Sequence, residues 1–120
     1  MSEKEKGELR RRVYQYALRT IELLDSLPGD SVSRTIAHQL LRAATSVGAN
    51  VEEAQAGCSR RDFTNFYHHS FKSAVESRYW LGLLRDSRRA TGVVVERLSN
   101  EAEELSNMLG ASLLTLKGKR

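Results

Sequence analysis

The sequence predicts an all-α protein built as one antiparallel up-down-up-down four-helix bundle, and three observations carry that prediction. Apolar residues recur at steps of three and four, and nowhere alternate for long enough to suggest a strand. Turn signals fall at Leu27-Pro28-Gly29-Asp30, at Ala56-Gly57-Cys58-Ser59 and, more softly, at Ser87-Arg88-Arg89-Ala90-Thr91-Gly92, which divides the chain into four segments. Those segments are alike in length, roughly 20 to 27 residues or about 30 to 40 Å at 1.5 Å per residue, so they can pack side by side. Short loops then make sequential neighbours antiparallel. At 120 residues the chain suffices for one core and is too short for two, so a single domain over 1–120 is expected.

The helices are expected at about 5–27, 31–56, 60–87 and 92–116, with a basic tail at 117–120. The first carries Leu9, Val13, Ala17, Ile21 and Leu24 on one stripe, and the second Ile36, Leu40, Ala43, Val47 and Val51. Phe63, Tyr67, Ser70, Ala74, Ser77 and Leu81 form the third stripe, whose small members let a neighbouring helix come close. The fourth runs Leu98, Ala102, Leu105, Leu109, Ser112 and Leu116. Asp30 or Ser31 can cap the second helix and Ser59 the third, because a short side-chain oxygen accepts a free backbone N–H there.

Composition excludes several function classes. Hydrophobic residues at 40% and charged residues at 28% suit a folded domain, and no apolar run approaches the ~20 residues that cross a bilayer. The polar start Met-Ser-Glu-Lys-Glu-Lys-Gly-Glu is unlike a secretory signal, and the single cysteine, Cys58, fits a reducing compartment; the expectation is cytoplasmic. His38, His68 and His69 lack metal-ligand spacing, and no glutamate stands three residues before a histidine as a di-iron bundle requires. Neither a phosphate-cradling glycine loop nor a nucleophile elbow is present. No enzyme activity, metal or cofactor is expected.

Charge points toward partners. The net charge is +4, and fourteen of the nineteen basic residues are arginine, whose planar guanidinium grips phosphate in two places and stacks on bases. Residues 58–89 hold seven basic groups against three acids, whereas 90–116 hold Arg97 against Glu96, Glu101, Glu103 and Glu104. This polarity suits either an anionic partner or the pairing of basic and acidic faces between subunits. If phosphate is bound, Arg60, Arg61, Arg85, Arg88 and Arg89, at the two ends of the third helix, are the candidates. A solvated face with scattered ion pairs is the plainer reading.

Two further features border the core. Arg42, Ser46, Asn50 and Glu53 form a polar ridge on the second helix, able to pair within one turn or to reach Glu76 and Arg78 on the third. It reads either as a hydrogen-bonded seam that fixes helix register, or as a subunit contact or ligand pocket near Asn50, Glu53 and Glu76. Trp80 lies beside the third stripe, next to Tyr79; it is either an interface anchor or part of a wide core stripe.

The stretch His38-Gln39-Leu40-Leu41-Arg42-Ala43-Ala44-Thr45-Ser46-Val47-Gly48-Ala49-Asn50-Val51-Glu52-Glu53-Ala54, then Ser59-Arg60-Arg61-Asp62-Phe63, resembles the signature of the bacterial four helix bundle protein family, whose founding members are encoded by intervening sequences within 23S ribosomal RNA genes. Lys72-Ser73-Ala74-Val75-Glu76-Ser77-Arg78-Tyr79-Trp80-Leu81 is similar to its third-helix pattern. The likeness covers roughly residues 10–115. Gly48 stands where many members carry proline, which would remove a kink, and His68-His69 is a second departure. The resemblance implies a homopentamer around a central channel. By analogy with the related accessory protein of diversity-generating retroelements, it also implies binding to RNA or DNA and to a reverse transcriptase. The expectation is a non-enzymatic oligomeric scaffold that binds nucleic acid, the alternative a homo-oligomeric protein-interaction module with no nucleic-acid role.

Overall fold

The computed structural model describes residues 1–118 and contains, among them, four helices and no strand: α1 Glu3–Asp25, α2 Ser31–Ala56, α3 Arg60–Asp86 and α4 Val93–Leu116. Lys119 and Arg120, counted with the basic tail, lie outside the described residues. Local chemistry sets the boundaries. α1 begins two residues earlier than expected because Ser2 and Glu5 form a capping box, with the Glu5 amide donating to Ser2 Oγ at 3.1 Å and the Ser2 amide donating to Glu5 Oε1 at 3.0 Å. Asp30, rather than Ser31, caps α2 by accepting from the Ser33 amide, and Ser59 caps α3 by accepting from the Asp62 amide. α3 stops at a left-handed residue, Arg88 with φ 63°, beyond which the amides of Arg89 and Ala90 both return to the Leu84 carbonyl.

Each helix packs on its neighbours in sequence, and α1 and α4 close the ring; the backbones of the diagonal pairs stay apart. The bundle measures 44 × 22 × 22 Å. α2 against α3 is the broadest contact, because small residues line it. Ser70 is fully buried there and donates across to the Val47 carbonyl at 2.7 Å, which ties the two backbones closely. α1 against α4 is the narrowest contact, and charge holds it: Arg12, only partly exposed, pairs with Glu101 and lies 3.4 Å from Glu104, with Met108 Sδ 3.2 Å away. One polar link crosses the diagonal. Buried Tyr16 on α1 meets Ser77 Oγ on α3 at 2.7 Å, and Ser77 in turn donates to the Ala74 carbonyl, so the tyrosine hydroxyl donates to the serine oxygen.

The core departs from the expected stripes chiefly in α1 and α4; in α2 and α3 only the end members Ile36 and Phe63 are half-buried. In α1 it runs Leu9, Val13, Tyr16, Thr20, Leu23; Ala17 and Leu24 are half-buried and Ile21 is exposed. The larger tyrosine fills the interior once its hydroxyl has a partner, and this rotates the buried face by about one position. In α4 Leu113 is buried, as a leucine excludes more water than Ser112 beside it, and Ser112 and Leu116, expected in the core, are half-buried. α2 runs unbroken past Gly48, whose missing methyl would lie 3.5 Å from Val13 Cγ2, an ordinary contact.

Candidate functional site

The polar ridge of α2 is one half of a seam with α3. Arg42 donates from Nε and Nη2 to Gln39 Oε1 at 3.2 and 3.1 Å and pairs with Glu76 across the helix boundary. Glu76 Oε2 also accepts from Trp80 Nε1 at 2.9 Å. Ser73 donates to Ser46 Oγ at 3.0 Å, and Asn50 Nδ2 donates to both the carbonyl and the hydroxyl of Ser46 at 2.9 Å. Of the two arrangements open to the ridge, Arg42 thus takes the one that reaches Glu76 on α3, while Asn50 bonds within its own helix, to Ser46 rather than Glu53. Glu53 points to solvent outside this network, and Arg78 faces the other way, 3.3 Å from Glu103 on α4. The seam's one carboxylate, Glu76, is paired with a guanidinium and an indole N–H, so the network can fix register. Trp80 is half-buried against the core, and the exposed aromatic is its neighbour Tyr79, 60% exposed and edge-on to the indole at 5.1 Å.

The candidate arginines occupy opposite ends of α3, separated by about 40 Å along a helix of 27 residues. They do not form one surface. Arg85 contacts Asp86 at 2.9 Å and Glu96 at 3.9 Å, Arg89 lies 3.7 Å from Asp30, and Arg60 donates to the Leu116 carbonyl at 3.1 Å. Among the described residues, Arg61 and Arg88 alone of the five have no such partner. The acidic face of α4 is answered within the chain: Glu96, Glu101, Glu103 and Glu104 face Arg85, Arg12 and Arg78. A positive field persists around His68. Slight burial, and then the nearby Lys117, Lys72 and His69, push its pKa below the usual histidine value.

Two apolar stripes were missed by a reading that sought one buried face per helix. Tyr14, Leu18 and Ile21 lie along α1, 65, 40 and 41% exposed, beside exposed Leu41 of α2. Val75, Tyr79 and Leu83 repeat at steps of four along α3 and are also exposed. α1 and α3 are diagonal in the ring, so the stripes face opposite directions. A second apolar periodicity, out of phase with the buried one, was the available signal.

Among the described residues no group of three or more His, Cys, Asp or Glu is placed to hold a metal, and no helix is long and apolar enough to cross a membrane. The geometry thus defines a class: a four-helix bundle with a self-satisfied polar seam and unpartnered apolar faces. Residues 5–111 match the family model of the 23S rRNA-intervening sequence protein, and the chain belongs to that family. It is also similar to the crystal structure of a protein of unknown function from the S23 ribosomal protein family of Bacteroides thetaiotaomicron. The two share 30% identity at a TM-score of 0.83, over 90% of this chain and 96% of that one. No curated protein matches the sequence. Neither description names a chemical activity.

Proposed function

We propose that this chain is a non-enzymatic scaffold that assembles with copies of itself, in the cytoplasm, and that nucleic acid binds to the assembly. The observation that carries the first part is the pair of exposed apolar stripes on opposite faces. A patch on one side that fits a different patch on the other gives a heterologous contact, which closes into a ring when the rotation per subunit allows. Burying Tyr14 and Tyr79 together is worth more than leaving both wet, and aromatic anchors of this kind dominate interfaces. The pentamer implied by the family resemblance is one ring of this type. Since the charges of α3 and α4 meet within one chain, the apolar stripes, and not those charges, supply the subunit contact.

The nucleic-acid part rests on the basic side chains Arg61, Lys72 and Lys117, repeated in every subunit of a ring. Arg61 replaces the set of five arginines as the residue to test first, with Arg88 at the far end as its control. A reverse transcriptase is a partner this reading admits by analogy alone. Light scattering on the chain with a single-stranded RNA and an RNA duplex, at low and physiological salt, tests both parts. A multimeric mass that rises with RNA at low salt and less at high salt supports the proposal; a monomer refutes assembly, and a mass indifferent to RNA at both salts leaves the protein-interaction reading.

A further inference from the structure

The end of the bundle where α1 and α3 begin and α2 and α4 finish encloses a recess of ≈ 480 Å³, within the range of small-molecule sites. The charged groups that line it, Lys6 and Arg60, are both cationic. Lys6 holds its ammonium 5.1 Å from the centre of the Phe63 ring, where its one acidic contact is solvent-exposed Glu3 at 3.3 Å. Arg60 is fixed at the rim by its bond to the Leu116 carbonyl, which uses one of the five donors of a guanidinium. Gln55 also borders it, and its Nε2, shielded from solvent, has no hydrogen-bond partner among the described residues. The Tyr67 hydroxyl finds only the sulfur of Met1, at 3.8 Å, a weak acceptor. Burial pushes the Tyr67 pKa up to about 12, so the hydroxyl stays protonated even where an ordinary tyrosine would ionise. Among the described residues no carboxylate lines the recess.

An ammonium and a guanidinium only donate, an amide N–H and a phenol can donate with them, and a buried donor without an acceptor is a standing cost that an anion would remove. One side of the wall is apolar, Phe63, tilted against Tyr67 at 4.3 Å, with Leu116 and Met1, and Ser59, Ser112 and Thr115 add hydroxyls. Met1 and Ser112 also border a second hollow of ≈ 540 Å³ between α1 and α4, floored by Met108 and Ala111. The acids there are engaged elsewhere, Glu5 in the α1 capping box and Glu8 with Arg11.

We infer that this end recess binds an organic anion with an apolar body, its anionic head held by Lys6, Arg60 and Gln55 and its body lying against Phe63 and Met1 toward the α1–α4 groove. The site is independent of assembly through the apolar stripes.

Isothermal titration calorimetry with octanoate as the probe, and octanol and inorganic phosphate as counterparts, tests this on the full chain. Octanoate should bind saturably, one per chain, with octanol and phosphate at least about tenfold weaker, because each lacks one half of what the recess offers. Lys6→Gln and Arg60→Gln should each weaken octanoate about tenfold and leave octanol unchanged. Gln55→Leu should also weaken octanoate while the thermal stability of the free chain holds or rises, an outcome that separates a lost ligand contact from a damaged fold. Equal binding of octanol and octanoate, native affinity in all three variants, or no saturable octanoate binding overturns the inference.

Discussion

The Tyr16–Ser77 link is the one polar contact described between diagonal helices, and its asymmetry gives a quantitative prediction. In Tyr16→Phe the ring still fills its place. Ser77 still donates to the Ala74 carbonyl, so the loss is one hydrogen bond, about 1 kcal/mol. In Ser77→Ala the fully buried tyrosine hydroxyl keeps its place and loses its acceptor, at a cost of about 2 kcal/mol. The double variant removes both partners together and strands neither, so it should be more stable than Ser77→Ala alone. Urea unfolding at a fixed protein concentration measures all three, and a change of 1 kcal/mol corresponds to about 4 °C in a thermal scan. Costs that simply add, or a Ser77→Ala variant no weaker than Tyr16→Phe, would refute the reasoning. Burial raises the Tyr16 pKa to about 12, above its ordinary value near 10, and so favours the neutral phenol in the folded state. That contribution is whole below about pH 10 and is lost as pH rises toward 12, so Tyr16→Phe should lose less stability than the native chain across that window.

Gly48→Ala should stabilise the chain by about 0.5 to 1 kcal/mol, since the new methyl meets Val13 at ordinary contact distance and an interior helix glycine is replaced; Gly110→Ala, whose methyl would lie 3.3 Å from Phe71, should gain less in the same melts. Arg88→Gly should raise stability by about 1 kcal/mol in urea titrations, because Arg88 holds a left-handed conformation that glycine adopts freely. Arg12→Ala should cost about 1 to 2 kcal/mol by leaving Glu101 partly buried without its cation, and hydrogen exchange should quicken in α1 and α4 before α2 and α3.

The helices were legible because the punctuation is local: a proline at 28, glycines at 57 and 92, and capping oxygens at Asp30 and Ser59 all act within a few residues. The phase of α1 was not. After Val13 both Tyr16 and Ala17 continue a three-or-four spacing, and only a hydrogen-bond partner 61 residues away makes the tyrosine the buried choice. With the wrong phase, Ile21 was read as core and the exposed stripe it shares with Tyr14 and Leu18 was hidden. The seam was half legible for the same reason. Spacing put Arg42, Ser46 and Asn50 on one edge, but the pairing with Glu76 and Ser73 depends on how α3 docks. For the arginines, helix length already implied two distant clusters, whereas their neutralisation by α4 and by Asp30 required the tertiary fold. The end recess draws on all four helices, and no local pattern announces it.

Assembly through two different apolar faces is tested most directly by mixing two variants. Leu18→Glu disables the α1 stripe and Tyr79→Glu the α3 stripe, both at exposed helical positions where glutamate suits the helix. Multi-angle light scattering should find each variant monomeric alone, and the equimolar mixture at the mass of two protomers, joined by the one intact pair of faces. Native-sized assemblies from either variant alone, or a mixture that stays monomeric, would contradict the account.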